Sequence, residues 1–431
     1  MSDAATPHTV AHPPISARQV AAAVAGNALE FYDFTVYATF ASQIGQAFFP
    51  SKTPFVSLIL TLITFGVGFI PRPLGAVIIG RWADKHGRRP AMILSFSLMG
   101  VAILGLALTP SYAAIGPLAP ILVLIWRLCQ GFALGGEVGP TTAFLVESSP
   151  PAHRGLYGAW QGGSQNLANL VGAGIGLAFT TFAGVAALQA WGWRAAFLIG
   201  AIALPFGLLL RRTLPETLHR HEARTAAQAD DTSLKSGTPV LLRGLGLIGA
   251  STISTYVFAY LTTYAFKTLH MPAGVSLGAT AVSGTCGLVA GLIGGALSDR
   301  FGRRPLMIWP RVFFLLATWP VFWLIVHFHN GPALLIGTAI LTFSSALSTA
   351  AVFVAIAESL RKEVRVMGMG MVYAVAVAVF GGTTQPIIAS LVEFTHDPLS
   401  VAWYTIAATA VGLLASLTMR ETAHRRVTLK S

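Results

Sequence analysis

Long apolar runs, broken by short polar connections, dominate the chain. The runs cover Val20–Phe40, Phe55–Gly80, Ala91–Pro110, Ala119–Val146, Tyr157–Ala183 and Trp193–Leu210. After a break they resume at Gly244–Thr268, Ser276–Leu297, Leu306–Phe328, Pro332–Ala357, Met367–Val392 and Ala402–Met419. Hydrocarbon offers the backbone no hydrogen-bond partner, so a spanning segment satisfies its own N–H and C=O groups as a helix of roughly 20 apolar residues. The pattern predicts an all-α integral membrane protein of twelve transmembrane helices. An even number of spans places both termini on one side.

Composition narrows the class further. Of 431 residues 54% are hydrophobic and 10% charged, too few charges to clothe a soluble domain of this size. The net charge of +12 raises nucleic acid as a partner, and the placement of the charges argues against it. Lys and Arg cluster in every second connection and at the termini: Arg18; Arg81, Lys85, Arg88 and Arg89; Arg154; the stretch 211–243; Arg300, Arg303 and Arg304; Arg361, Lys362 and Arg365; and Arg420 onward. The opposite connections hold Lys52, Arg194 and Lys267. This asymmetry sets both termini in the cytoplasm, with the basic turns beside anionic lipid headgroups. Cys129 and Cys286 lie in apolar runs and read as small core residues without a disulfide. The polar start, Met1–Ser16, followed by a run long enough to span, reads as a tail and not as a cleavable signal.

The chain repeats itself. Gly80–Pro90 is GRWADKHGRRP and Gly295–Pro305 is GALSDRFGRRP, with Asp84 and Asp299 separated by 215 residues (299 − 84). Glu147 with Arg154 is echoed by Glu358 with Arg365 at an offset of 211 (358 − 147). Two echoes in one order at nearly one offset describe a duplicated bundle. The expected organisation is a cytoplasmic tail 1–17, a six-helix bundle 18–211, a partly helical cytoplasmic linker 212–243, a second six-helix bundle 244–420, and a tail 421–431. Each D-x-x-G-R-R falls at the cytoplasmic turn between the second and third spans of its half. Gly87 and Gly302 allow a tight reversal, and the arginines reach phosphates or helix C-termini. Basic turns alone would serve topology, but the matched Asp and Gly point to a gate built from Asp84, Arg88, Asp299 and Arg303. The duplicated pairs Glu147/Arg154 and Glu358/Arg365 suggest salt bridges that lock the same side.

These motifs resemble those of the major facilitator superfamily. The first D-x-x-G-R-R is similar to its signature loop, and Arg127–Glu137, RLCQGFALGGE, is similar to its fourth-helix motif R-x-x-Q-G-x-x-x-G-x-E. GNALEFYDFTVYA from Gly26, FIPRPLGA from Phe69, WGWR from Trp191 and FGG from Phe380 narrow the resemblance to the metabolite:proton symporter family. Members of that family carry citrate, 2-oxoglutarate, shikimate, or proline and betaine. The resemblance spans nearly the whole chain. It implies the major facilitator fold of two pseudo-symmetric bundles, location in a bacterial inner membrane, proton symport by alternating access, and a monomer. The chain stops soon after Arg420, without the long coiled-coil tail of some osmolyte carriers, which weakens the osmosensory reading.

Charges inside spans cost roughly 2.5–3.5 kcal/mol each on insertion scales, so each asks for a reason. At about 100° per residue, Asn27, Glu30, Asp33 and Tyr37 share one face of the first span. Two carboxylates one turn apart, desolvated and repelling, suit one of them to carry a proton, Asp33 ahead of Glu30; the alternative is a static pair satisfied by a neighbouring base. On the fourth span Arg127, Gln130, Leu134, Glu137 and Thr141 share a face. The guanidinium fork of Arg127 matches a carboxylate, either of a substrate or of Glu30 or Asp33. Glu137 lies roughly 15 Å deeper at 1.5 Å per residue and belongs with the cytoplasmic gate. Arg72, between Pro71 and Pro73, serves a gate or snorkels, and Arg311 is equally open.

Neutral polar groups complete the candidate site. Tyr157, Gln161, Gln165 and Asn169 step by four along the fifth span, and Tyr256, Tyr260 and Tyr264 along the seventh, where packing and binding remain alternatives. Gln385 beside Pro386 offers a further donor. His327 and His329 sit at the periplasmic edge in an interfacial role. No metal-ligand spacing, phosphate loop or nucleophile triad stands out, so no cofactor beyond the coupling proton, and no enzymatic activity, is expected.

The reading that follows is a proton-coupled importer of a di- or tricarboxylate such as citrate or 2-oxoglutarate. Substrate would be bound by Arg127, Asn27, Tyr37, Gln130, Gln161, Gln165, Tyr256, Tyr260 and Gln385 at the midplane between repeats. The alternatives are a carrier of a zwitterion such as proline or betaine, or of shikimate, for which Phe31, Tyr32 and Tyr37 would supply aromatic faces. A non-transporting sensor would need a soluble output domain, and a membrane enzyme a nucleophile or metal cluster.

Overall fold

The computed structural model describes residues 17–86, 88–135, 145, 149–212, 231–360 and 362–423, except for some side chains within these stretches. Within them the apolar runs are largely helical, the second being broken at residues 68–71. The first half comprises α1 (Ala17–Thr39), α2 (Pro54–Val67), α3 (Arg72–His86), α4 (Arg88–Leu108), α5 (Leu118–Leu134), α6 (Arg154–Phe182) and α7 (Trp193–Arg212). The second comprises α8 (Asp231–Thr263), α9 (Ala273–Phe301), α10 (Arg303–Phe328), α11 (Gly331–Ser359), α12 (Lys362–Ala376), α13 (Gly382–Thr395) and α14 (Ser400–Thr418). Helix α8 starts at Asp231, inside the stretch expected to be linker, so that linker's described C-terminal part is helix.

Eight described helices are long and apolar enough to cross a membrane, and Ile93–Leu108 and Leu118–Leu134 are shorter apolar helices. The helices expected as the first and fifth spans, α1 and α6, fall outside that set because they carry the polar residues of the site. Large apolar side chains face outward, among them Phe182, Trp309 and Phe394, respectively 90%, 71% and 79% exposed. In water such a surface would aggregate; against lipid tails it is the expected one.

Two spans are interrupted. The second breaks between α2 and α3, where Pro71 and Pro73 flank Arg72. The eleventh passes from α12 to α13 through a π turn, Val377–Gly381. Both breaks lie where another backbone presses in. A Cβ on Gly131 of α5 would stand 1.7 Å from the Gly68 carbonyl oxygen, and one on Gly66 would stand 2.1 Å from that of Gly382. Glycine at these positions is what lets α5 reach the α2–α3 break, and α2 reach α13 of the other half.

The halves meet along α6 with α9 and along α2 with α13. At the end of α6 and α9 that carries the second D-x-x-G-R-R turn, Gly155 and Gly295 approach so closely that a Cβ on either would strike the other's backbone. At the far end of the second pair, Phe55 meets Phe394 edge to face at 6.5 Å. WGWR is structural. Trp193 packs edge-on against Phe48, and the Arg194 guanidinium donates to the carbonyls of Ala107 and Thr109 just past the last turn of α4, each at 2.7 Å.

Candidate functional site

The site is built around one ring. Phe34 of α1 has the Arg127 guanidinium over it at 4.5 Å and that of Arg72 at 4.7 Å. Arg127 also lies over Tyr37 at 4.5 Å and Phe65 at 5.0 Å, and Arg72 over Phe69 at 4.3 Å. Desolvated cation–π contacts of this kind contribute about 2 kcal/mol each, less than the cost of burying a charge. Further partners are therefore required.

Arg127 has them. Its Nη1 stands 3.6 Å from Asp33 Oδ2 and donates to Gln130 Oε1 at 2.7 Å, while Nη2 donates to the Phe65 carbonyl at 3.3 Å. Arg127 and Asp33 are wholly buried. Neither carboxylate oxygen of Asp33 accepts a hydrogen bond, so Arg127 is its charge partner at a distance beyond direct bonding. Glu30 is buried one turn away. The face predicted on the first span and that predicted on the fourth thus meet through Asp33, Tyr37, Arg127 and Gln130.

Arg72 is different. It is buried, makes no ion pair among the described residues, and none of its three guanidinium nitrogens has a hydrogen bond of good geometry. The hydroxyl-bearing rings of Tyr256 and Tyr373 lie in its field.

Those two tyrosines border a cavity of about 130 Å³ between the halves. Its walls are aromatic (Phe31, Phe34, Phe65, Tyr256, Phe353, Tyr373) with amides and hydroxyls between them, including Gln165, Asn166, Asn169, Ser251, Thr255 and Ser345. Of the residues predicted to bind substrate, Gln165 and Tyr256 line this space. Arg127, Tyr37 and Gln130 stand behind the Phe34 and Phe65 rings. Asn27 and Gln161 engage each other: Asn27 Nδ2 donates to Ser164 Oγ at 2.5 Å and to the Gln161 carbonyl at 3.4 Å, and Gln161 Nε2 donates to Asn27 Oδ1 at 3.5 Å. Tyr260 and Gln385 are buried away from the cavity, and Tyr264 donates to the Pro398 carbonyl at 2.9 Å. Sequence reasoning missed Phe34, Phe65, Phe69 and Tyr373, whose aromatic character gives no signal of site membership by itself.

Of the two D-x-x-G-R-R turns expected to form a gate, the side chains of the second are described. Asp299 accepts from the N–H groups of Gly155 (2.8 Å) and Leu156 (3.0 Å), the first turn of α6 in the other half. Arg303 holds Asp299 at 2.7 Å and Glu358 at 3.2 Å. A carboxylate on orphan helix N–H groups is a charge-assisted cap, here placed across the interface between halves. Glu358 thus pairs with Arg303, from the motif turn. The partner expected for it, the Arg365 side chain, lies outside the described residues, as do Asp84, Arg88, Glu137 and Glu147. Arg154 opens the capped helix.

The comparisons with known proteins agree with this architecture. The chain matches the sequence model of the Major Facilitator Superfamily over residues 23–386 and again over 272–427. The chain belongs to that family. It is similar to a citrate-proton symporter of Klebsiella pneumoniae, 37% identical with 91% of this chain and 89% of that one covered. It is similar also to the alpha-ketoglutarate permease of Escherichia coli, 34% identical over 92% of both chains. The proline/betaine transporter of the same organism is 32% identical, with 95% and 84% covered. Among solved structures, the proton:xylose symporter XylE superposes with a TM-score of 0.73 at 18% identity, covering 94% of this chain and 96% of that one, and shows the shared facilitator fold. A facilitator of this kind is a multi-pass membrane transporter, not an enzyme.

Proposed function

We propose that the protein imports a small organic anion of the di- or tricarboxylate class, citrate- or 2-oxoglutarate-like, by proton symport across the bacterial inner membrane. The carrying observation is the charge balance beside the cavity. Arg127 has Asp33, whereas Arg72 lies buried against the cavity tyrosines with no acid partner among the described residues. An uncompensated buried guanidinium is costly, and a carboxylate arriving in the cavity offsets that cost. The similarity to the citrate-proton symporter and the alpha-ketoglutarate permease supports the same class.

Coupling follows from the pair. A proton taken by Asp33 removes the charge facing Arg127 and leaves two guanidinium groups around Phe34 in need of an anion. Proton and substrate therefore stabilise one another on the carrier, the thermodynamic content of symport. Tyr256 and Tyr373 bridge from the second half, so closure around substrate is felt on both sides of the interface. Release into the cytoplasm requires the Asp299 cap on α6 to open. In this reading twelve spans form two six-helix bundles, both termini are cytoplasmic, the protein works as a monomer in lipid, and the proton is its only coupling partner.

A second reading keeps support from one observation. The cavity wall is rich in aromatic faces, which also suit a quaternary ammonium, and the proline/betaine transporter is a relative. Uptake of labelled citrate into proteoliposomes, with and without an inward proton gradient, separates the two. Gradient-driven citrate uptake that betaine does not compete away supports the anion. Gradient-driven betaine or proline uptake with no citrate uptake overturns it.

A further inference from the structure

The second half contains a buried cation that the reading above leaves unused. Arg311, on α10, is 4% exposed, and among the described residues no carboxylate lies within ion-pair distance of it. Its Nη1 donates to the Gly412 carbonyl at 2.8 Å and to Ser416 Oγ at 3.0 Å, and Nη2 donates to Ser251 Oγ at 3.1 Å. Gly412 leaves the room: a Cβ there would sit 2.9 Å from Nη1. Beside the guanidinium is a hollow of about 10 Å³, the size of one oxygen atom or small anion, bordered by Ser251, Ser254, Ser345, Ser348 and Thr409.

Ser251 and Ser345 border both this hollow and the central cavity. A hydroxyl has one proton to give and two lone pairs to receive. Ser251 Oγ accepts from Arg311 at 3.1 Å and lies 3.3 Å from Thr349 Oγ1, whose own proton goes to the Ser345 carbonyl at 2.9 Å. Ser251 thus stands on the cavity wall with a cation behind it, and rotation of its hydroxyl brings the proton to an acceptor in the cavity. Tyr256, the neighbour of Arg72, lies five residues along the same helix, about 7.5 Å at 1.5 Å per residue. Ser251 and Tyr256 thus set behind the wall of one cavity two cations that have no acid partner among the described residues.

We propose that Arg311, acting through Ser251, is a second carboxylate subsite, so that a dicarboxylate unit is held between Arg72 of the first half and Arg311 of the second. The proposal rests on the organic-anion reading and names its finer class: two carboxylates are required, one from each half's cation. Substrate then bridges the halves electrostatically, and a monocarboxylate leaves one of them uncompensated.

The test is equilibrium binding to the full-length protein in nanodiscs, with glutarate and its monoamide as ligands. Wild type prefers glutarate. In Arg311→Gln that preference falls by roughly tenfold or more, with monoamide binding nearly unchanged. Ser251→Ala keeps the arginine, guards against a variant that fails to fold, and moves the preference the same way by a smaller factor. Equal weakening of both ligands, or an unchanged preference in both variants, overturns the subsite. Thermal stabilisation by chloride over gluconate that Arg311→Gln abolishes, with the preference untouched, also overturns it by assigning the hollow to an inorganic anion. Wild type that binds neither ligand sinks the organic-anion reading itself.

Discussion

The two halves share a repeat yet handle buried charge in opposite ways. In the first half, Arg72 and Arg127 lie against the rings of Phe34, Tyr37, Phe65 and Phe69, and one of them faces a carboxylate, Asp33. In the second, Arg311 is held by serines and a carbonyl, with no acid beside it among the described residues. Duplication preserved the helices and the D-x-x-G-R-R turns, whose role is geometric. It did not preserve the interior charges, whose role is chemical. In the proposed mechanism, a carboxylate in one half and a cation held by serines in the other divide the labour: proton handling on one side, anion anchoring on both.

The sharpest way to break this division is Asp33→Asn. Coupled uptake is expected to fall to roughly one hundredth or less, since the carboxylate paired with Arg127 is gone and breaking a buried pair costs about 3–5 kcal/mol. Some of that loss is stability, so the informative variant is the double change Asp33→Asn with Arg127→Gln. It should recover thermal stability, as paired removal of buried charges commonly does, while gradient-driven uptake stays lost. Recovery of coupled uptake in the double variant would falsify the assignment of the proton to Asp33.

Next in size is the gate. Asp299→Asn keeps the shape but weakens the two bonds to the α6 N-terminus and the pair with Arg303. Uptake should drop by about tenfold, at the usual 1.5–3 kcal/mol of a hydrogen bond to a charged group. A cysteine introduced at Ala159, on the cavity wall, should react faster with a cytoplasmic thiol reagent in Asp299→Asn than in the parent carrying the same cysteine. Unchanged labelling would mean that the cap is ornamental to access.

The contact at Gly66 and Gly382 gives a smaller, cleaner handle, because it involves no charge. Gly66→Ala places a methyl group against the Gly382 carbonyl and forces α2 and α13 apart by about an ångström. Maximal uptake rate should fall a few-fold, with substrate affinity nearly unchanged. A change confined to affinity would move this contact from the conformational cycle to the binding site.

How much of this was legible beforehand depends on the type of information. Helix positions and the fold family were readable because hydropathy, spacing and short motifs are one-dimensional signals. The meeting of Asp33 with Arg127 was anticipated as one of two options, since each helical face could be drawn from periodicity. What could not be read was depth around a helix over distance. Steps of four residues turn about 40° past a full circle, so the fifth-span stripe rotates about 80° between Gln161 and Asn169. Hence Gln161 turns to Asn27, whereas Gln165 and Asn169 reach the cavity. Arg311 was open for a related reason. Its surroundings come from four helices, and no single stretch of sequence shows that a cation has serines for neighbours and no acid.

The smallest expected effect concerns the C-terminal strap of the second half, Glu421. Its carboxylate accepts from the N–H groups of Arg303 (2.8 Å) and Arg304 (3.0 Å), capping α10 beside the gate, and from those of Thr422 and Ala423. Gly302, at φ 101°, leaves the space it occupies. Burial pushes this carboxyl up, but the bonds from Ala423, Arg303, Arg304 and Thr422 outweigh it and hold the group below the ordinary glutamate range. A carboxyl held low in the folded chain adds stability above its unfolded value, about 4.3. That increment fades as pH falls through the lowered folded value. The group is partly solvated, so the contribution is about 0.5 kcal/mol. Glu421→Gln should lower the unfolding midpoint slightly at neutral pH and show no difference from wild type in acid. A Gln variant that unfolds like wild type at neutral pH would leave the order of this turn to Gly302 and the Arg303–Glu358 pair alone.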